Sequence, residues 1–106
     1  MKLTNEDINN LLVEYPGLPN DYLEYLKNHG WGESLSGRMV YEGPVSPEDI
    51  YDDNYEGPKS VVLFGDDFQG YCLGFDLQKK SYGEVNSFGE WESSSSHEEM
   101  KEYTGI

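Results

Sequence analysis

The fold turns on Ser60–Phe88, SVVLFGDDFQGYCLGFDLQKKSYGEVNSF. SVVLF (60–64) is β-branched and aromatic, the composition of a strand. Gly70–Asp76 reads as a second strand, with Tyr71, Leu73 and Phe75 on one face. Tyr82–Phe88 reads as a third. DDFQG and LQKKS, between them, have the length of hairpin loops. Asp66 and Asp67 then belong to a turn, and Gly70 supplies the positive φ that closing such a loop demands.

Upstream, Thr4 is placed as an N-cap with Asp7 three residues on. Ile8, Leu11, Leu12 and Tyr15 follow at helical spacing, and Pro16-Gly17 ends that helix. Pro19 starts a second helix, striped by Leu23 and Leu26 with Tyr22 or Tyr25 and stopped at Gly30. So short a connection predicts a helical hairpin. SLSGRMVYEG (34–43) is compatible with a strand. Ser46-Pro47 opens a short helix that Asn54, Gly57 and Pro58 break, and Ser96 caps a last helix ending near Tyr103, with Glu99 at its third position. The serine run Ser93–Ser96 is a loop into that cap. The expectation is an α+β domain spanning 1–106: an N-terminal helical hairpin, an antiparallel β-meander sheet and a C-terminal helix.

Charge constrains function more than any motif. Seven Lys and Arg face 21 Asp and Glu, a net charge of −14. A direct nucleic-acid binder needs a basic footprint, and anionic membranes repel such a chain. A basic protein partner, steered electrostatically, fits the imbalance. The single cysteine, Cys72, excludes an internal disulfide. MKLTNEDINN lacks the apolar core of a signal peptide, and no apolar run approaches membrane-spanning length. The expectation is a cytoplasmic protein.

Catalytic and metal signatures fail on spacing. Asp52-Asp53-Asn54-Tyr55-Glu56-Gly57 begins like a calcium loop, but its twelfth position is Leu63 and Pro58 intrudes. His29 and His97 stand far apart, and one cysteine makes no zinc set. Gly32, Ser34 and Gly37 miss the nucleophile-elbow spacing, Cys72 has no basic neighbour in sequence, and neither GLPND nor WGESLSG carries a phosphate-loop Lys. No metal, cofactor or catalytic residue is expected. A weak metal-dependent hydrolase using Asp66, Asp67 and Asp76 is the least supported alternative.

Aromatics beside acids are more informative. Tyr41-Glu42, Tyr51-Asp52-Asp53, Tyr55-Glu56 and Trp91-Glu92 recur through loops and strand ends. A carboxylate takes the charge of Lys or Arg while the ring stacks on guanidinium. For any single Tyr a core position is the simpler reading; for the set, surface contacts account for the recurrence.

LPNDYLEYLKNHGWGE and FGDDFQGYCLGFDLQKKSYGEVNSF, in this order, resemble the SUKH superfamily, the Smi–Knr type fold of fungal cell-wall regulators and many bacterial immunity proteins. The resemblance rests on Leu18-Pro19 with an acid two residues later, Asn28-His29-Gly30, Phe64-Gly65-Asp66, Gly70 before Phe75-Asp76-Leu77, and Gly83-Glu84-Val85. Asp67-Phe68 replaces a more usual small, Gly-containing turn, and the closing helix offers Met100 and Tyr103 where Phe and Leu are usual. The region Gly43–Lys59 is short for the family. The resemblance implies a non-catalytic, stoichiometric inhibitor that neutralises a toxin domain of a contact-dependent or secreted toxin, commonly a basic nuclease. A regulatory protein-binding scaffold of the same fold is the alternative. The contacts expected for the toxin are Tyr51, Asp52, Asp53, Tyr55, Glu56, Asp66, Asp67, Glu90, Trp91 and Glu92.

Overall fold

Residues 61–66 are apolar almost without interruption, which a strand covered on one face does not need. In the computed structural model, which describes residues 2–93 and 99–105, this strand is covered on both faces. Val62 and Phe64 point to the larger core, whereas Val61 and Leu63 point to a smaller one behind it. The described elements, in chain order, are α1 (Asn5–Glu14), α2 (Asn20–Asn28), β1 (Gly32–Glu33), β2 (Met39–Val45), α3 (Glu48–Tyr51), a 3₁₀ turn (Asp52–Asn54), β3 (Val61–Asp66), β4 (Cys72–Asp76), β5 (Ser81–Val85), β6 (Trp91–Ser93) and α4 (Glu99–Thr104). The strands form one antiparallel sheet in the order β1-β2-β3-β4-β5-β6.

The larger core joins the sheet to the helices. Tyr22 of α2 stacks on Phe64 with ring centroids 3.6 Å apart and planes 3° from parallel. Phe75 and Tyr82 meet edge to face at 5.0 Å. The Tyr82 hydroxyl donates to Asp21 at 2.6 Å and ties α2 to β5. Met100 and Tyr103 of α4 fill the same core, and the Tyr103 hydroxyl donates to the Met39 carbonyl at 2.9 Å.

The capping box of α1 forms as read: the Asp7 amide donates to Thr4 Oγ1 at 3.2 Å, and the Thr4 amide to Asp7 Oδ2 at 3.0 Å. Ile8, Leu11 and Tyr15 pack against the core, but Leu12 is exposed. Gly30, at φ 79°, donates to the Tyr25 carbonyl at 3.1 Å and stops α2.

Several boundaries depart from the sequence reading. Pro19 caps α2 from outside, in an extended conformation. The stretch 34–43 is not one strand. Residues 34–38 turn, Ser34 donates its amide to the Arg38 carbonyl at 2.8 Å, and a two-residue strand, β1, precedes them. Ser46 does not cap α3 with its side chain, since its hydroxyl turns to the Glu48 carboxylate. Tyr71 lies outside β4 and is exposed. The strand expected over Tyr82–Phe88 stops at Val85, and residues 86–90 turn the chain into β6, so the described sheet has six strands where four were expected. The expected Ser96 cap and His97 lie outside the described residues, as does the Glu99 side chain.

Candidate functional site

The second face of the sheet carries the residues that the sequence singles out. Between β2 and β3 the chain crosses this face as α3 and the 3₁₀ turn. Tyr41, Tyr51, Tyr55 and Trp91 there pack against Val61, Leu63, Cys72 and Val85. The Tyr51 hydroxyl lies 3.2 Å from both the Gly70 carbonyl and Cys72 Sγ, and 3.4 Å from the Val85 carbonyl. It thereby clamps the ends of β4 and β5. Tyr55 donates to the Pro58 carbonyl at 2.8 Å. Burial raises the phenol of Tyr55 to about 12. Burial also raises that of Tyr51, helped by its hydrogen bond to Cys72. The Cys72 thiol is pushed up by burial as well, and its hydrogen bonds with Tyr51 and Tyr41 only partly oppose this.

Trp91 has a seat cut for it. Gly74 and Gly83 are cross-strand partners, and the indole lies over both. A Cβ on Gly83 would stand 2.5 Å from Trp91 Cη2, and one on Gly74 2.8 Å from Cζ3. Trp91 is half-buried and donates its amide to the Glu56 carbonyl at 3.3 Å. Glu56 donates its own amide to the Gly89 carbonyl at 2.7 Å. This pairing docks residues 52–56 along the β5–β6 turn.

Tyr51, Tyr55 and Trp91 are therefore brought together on this face with Asp52, Asp53, Glu56 and Glu90 beside them, whereas Glu92, next to Trp91 on β6 and the cross-strand partner of Glu84, alternates to the opposite face. Asp52, Asp53, Glu56, Glu90 and Glu92 are exposed, while the three aromatic residues are half-buried and spend their surface largely on the sheet.

Asp66 and Asp67 stand at the same end, and their first role is local. Asp66 Oδ1 accepts the Phe68 amide at 2.9 Å, and Oδ2 accepts the Tyr41 hydroxyl at 2.6 Å. Asp67 Oδ1 accepts the amides of Gln69 at 2.8 Å and Tyr71 at 3.2 Å. Asp76 is elsewhere. Asp66 pairs with Cys72 and Asp76 with Val61, at opposite ends of the β3–β4 hairpin, about 17 Å apart at strand rise. Asp76 is buried and accepts from Ser60 Oγ at 2.6 Å and the amides of Gln78 at 3.0 Å and Lys79 at 3.2 Å. Burial alone would raise its carboxyl; the hydrogen bonds from Ser60, Lys79 and Gln78 outweigh it and hold the group below the usual range. Among the described residues no cluster of three or more His, Cys, Asp or Glu side chains is arranged to hold a metal ion.

Sequence reasoning missed the most exposed aromatic residues. Phe88 is 78% exposed, Phe68 64% and Tyr71 41%. All three ride on two neighbouring loops of the same build. Asn86 Oδ1 accepts the amides two and four residues ahead, Phe88 at 2.9 Å and Glu90 at 3.1 Å. Asp67 does the same for Gln69 and Tyr71. Each loop has glycine three residues after its Asp or Asn: Gly70 at φ 96° and Gly89 at φ 84°. The loops touch, since a Cβ on Gly70 would meet Ser87 Cβ at 3.1 Å. The repeated spacing of Asp67…Gly70 and Asn86…Gly89 was the available signal; Phe88 reads instead as the end of a strand.

No known protein family, no curated protein and no solved structure matches the chain significantly. Among the described residues no helix is long and apolar enough to cross a membrane.

Proposed function

We propose that this chain is a SUKH-type immunity protein: a stoichiometric, non-catalytic inhibitor that acts in the cytoplasm by binding a basic toxin domain. The observation that carries the reading is the set of exposed acids Asp52, Asp53, Glu56 and Glu90, gathered where residues 52–56 dock on the β5–β6 turn of a chain of net charge −14. Such a surface accelerates encounter with a cationic protein and fixes its register. The toxin's active site or substrate groove, built to hold an anion, would be the complementary surface. The order of helical hairpin, antiparallel meander and closing helix agrees with what the resemblance implies.

The test is rescue. Cells expressing the toxin domain encoded beside this chain die, and co-expression of the chain restores growth through a complex of the two that can be isolated. The association rate falls steeply with added salt. Failure of rescue overturns the immunity reading, and a tight partner that is neutral or acidic overturns its electrostatic basis.

A further inference from the structure

The loops Asp67–Tyr71 and Asn86–Glu90 end in the largest exposed apolar side chains of the β-meander, and both are rigid by design. Each is closed by one carboxylate or amide oxygen accepting two backbone amides, and by a backbone bond across its base: Asp67 to Tyr71 and Asn86 to Glu90, each at 3.0 Å. Tyr51 reaches the first loop at Gly70, and Glu56 holds the second at Gly89. Aromatic side chains exposed on a preorganised backbone lose little entropy on binding and act as anchors. Phe68 stands at φ 65°, a conformation that disfavours bulky residues, with its amide held by Asp66 and its ring 64% exposed.

We infer that these paired loops form one anchor surface that inserts Phe68 and Phe88 into an apolar cleft of a cationic protein, with Tyr71 at its margin. The inference rests on the basic-partner reading above and names the residues that supply affinity. Charge selects the occupant. Glu90 belongs to one loop, and Asp52 and Asp53 border it through the docked 3₁₀ turn. A cleft rimmed by Lys or Arg meets both the rings and the carboxylates. A second copy of this chain would bring −14 against −14.

The test uses the full chain against a phage-displayed library of disulfide-cyclised random peptides. Enriched peptides are synthesised and titrated by fluorescence anisotropy against the parent, F68N/F88S and D52N/D53N. Asn suits the positive φ at 68, so F68N removes the ring without adding strain; melting curves confirm folding, and F88S alone serves as the milder variant. The expected peptides are net basic with aromatic or aliphatic residues. They bind F68N/F88S ~30-fold or more weakly, the loss typical of removing a central anchor. They bind D52N/D53N several-fold more weakly, with a shallower salt dependence. Basic peptides that bind F68N/F88S as tightly as the parent overturn the anchor surface and leave the basic-partner reading standing. Peptides without net positive charge overturn both. A library with no binder that depends on the two rings overturns the inference, as does a self-association in sedimentation that F68N/F88S abolishes.

Discussion

Replacing Gly83 by Ala tests the seat of Trp91 directly. Gly in a strand interior is ordinarily a weakness, and Ala at a compatible position stabilises by about 0.4–1 kcal/mol through the unfolded state. Gly83 has no positive φ to defend, so propensity alone predicts a gain. The structure predicts a loss. The new methyl would stand 2.5 and 2.6 Å from Trp91 Cη2 and Cζ2 and would also collide with the Glu92 carbonyl oxygen. Neither neighbour yields cheaply: one is a ring seated on the sheet, the other the backbone of β6. Forcing a methylene into a packed site costs about 1–3 kcal/mol. Net of the entropic gain, Gly83→Ala destabilises by about 1–2 kcal/mol, which lowers the melting temperature by about 5–15 °C in a chain of this size. Gly43→Ala is the control: there the Cβ meets Leu11 Cδ2 at an ordinary 3.5 Å, and the melting temperature holds or rises slightly. In a Trp31→Phe background, Trp91 emission shifts to the red as the indole leaves its seat. Trp91→Ala costs less in the Gly83→Ala protein than in the parent, since the two changes share one contact. If Gly83→Ala melts at or above the parent with unchanged emission, the packing argument fails.

Three further outcomes follow from single groups. Asp76→Asn lowers stability at neutral pH by about 1–2 kcal/mol, the scale of charge-assisted hydrogen bonds to a buried carboxylate. Because the folded carboxyl of Asp76 titrates below the ordinary value, its contribution is complete above about pH 4 and fades as pH falls through the folded value, so urea midpoints of parent and variant converge only in acid. A gap that stays constant to pH 2 would contradict this. Cys72 is buried and its thiol raised by that burial, so it reacts with a disulfide reagent on the order of 100-fold or more slowly in the native chain than in denaturant; fast native labelling would show the second core to be open. Tyr41→Phe removes the donor to Asp66 and costs about 2 kcal/mol in thermal unfolding, and a neutral result would mean that this bond is not made.

What the sequence reveals, and what it hides, divides along element length. The strands β3 and β4 are legible because Val61–Phe64 and Cys72–Phe75 carry enough apolar residues to announce themselves. The edges β1 and β6 are two and three residues long, too short to show a period, and exist only because β2 and β5 offer them partners. The acids of the candidate site were legible as exposed charge. Tyr51, Tyr55 and Trp91 were ambiguous: nothing local says that a four-residue helix and a 3₁₀ turn fold back over the sheet, and that fold-back half-buries these rings. For Phe68 and Phe88 the ambiguity ran the other way, since an aromatic residue beside a β-rich segment reads as part of the strand until the turn is seen.

The last described helix closes the molecule from far along the chain. Ser36 donates its amide to the Thr104 carbonyl at 3.0 Å and its hydroxyl to the Tyr103 carbonyl at 2.5 Å, and Arg38 sits 5.2 Å above the Tyr103 ring. Every strand of the meander finds its neighbour as soon as the next segment is synthesised, so the sheet can zip up while the chain is still emerging from the ribosome. Its helical face cannot be sealed until Met100 and Tyr103 have left the exit tunnel. A nascent chain whose Ser93 has just cleared the exit tunnel would hold a formed sheet with part of its apolar face uncovered, the state in which a chaperone finds something to grip.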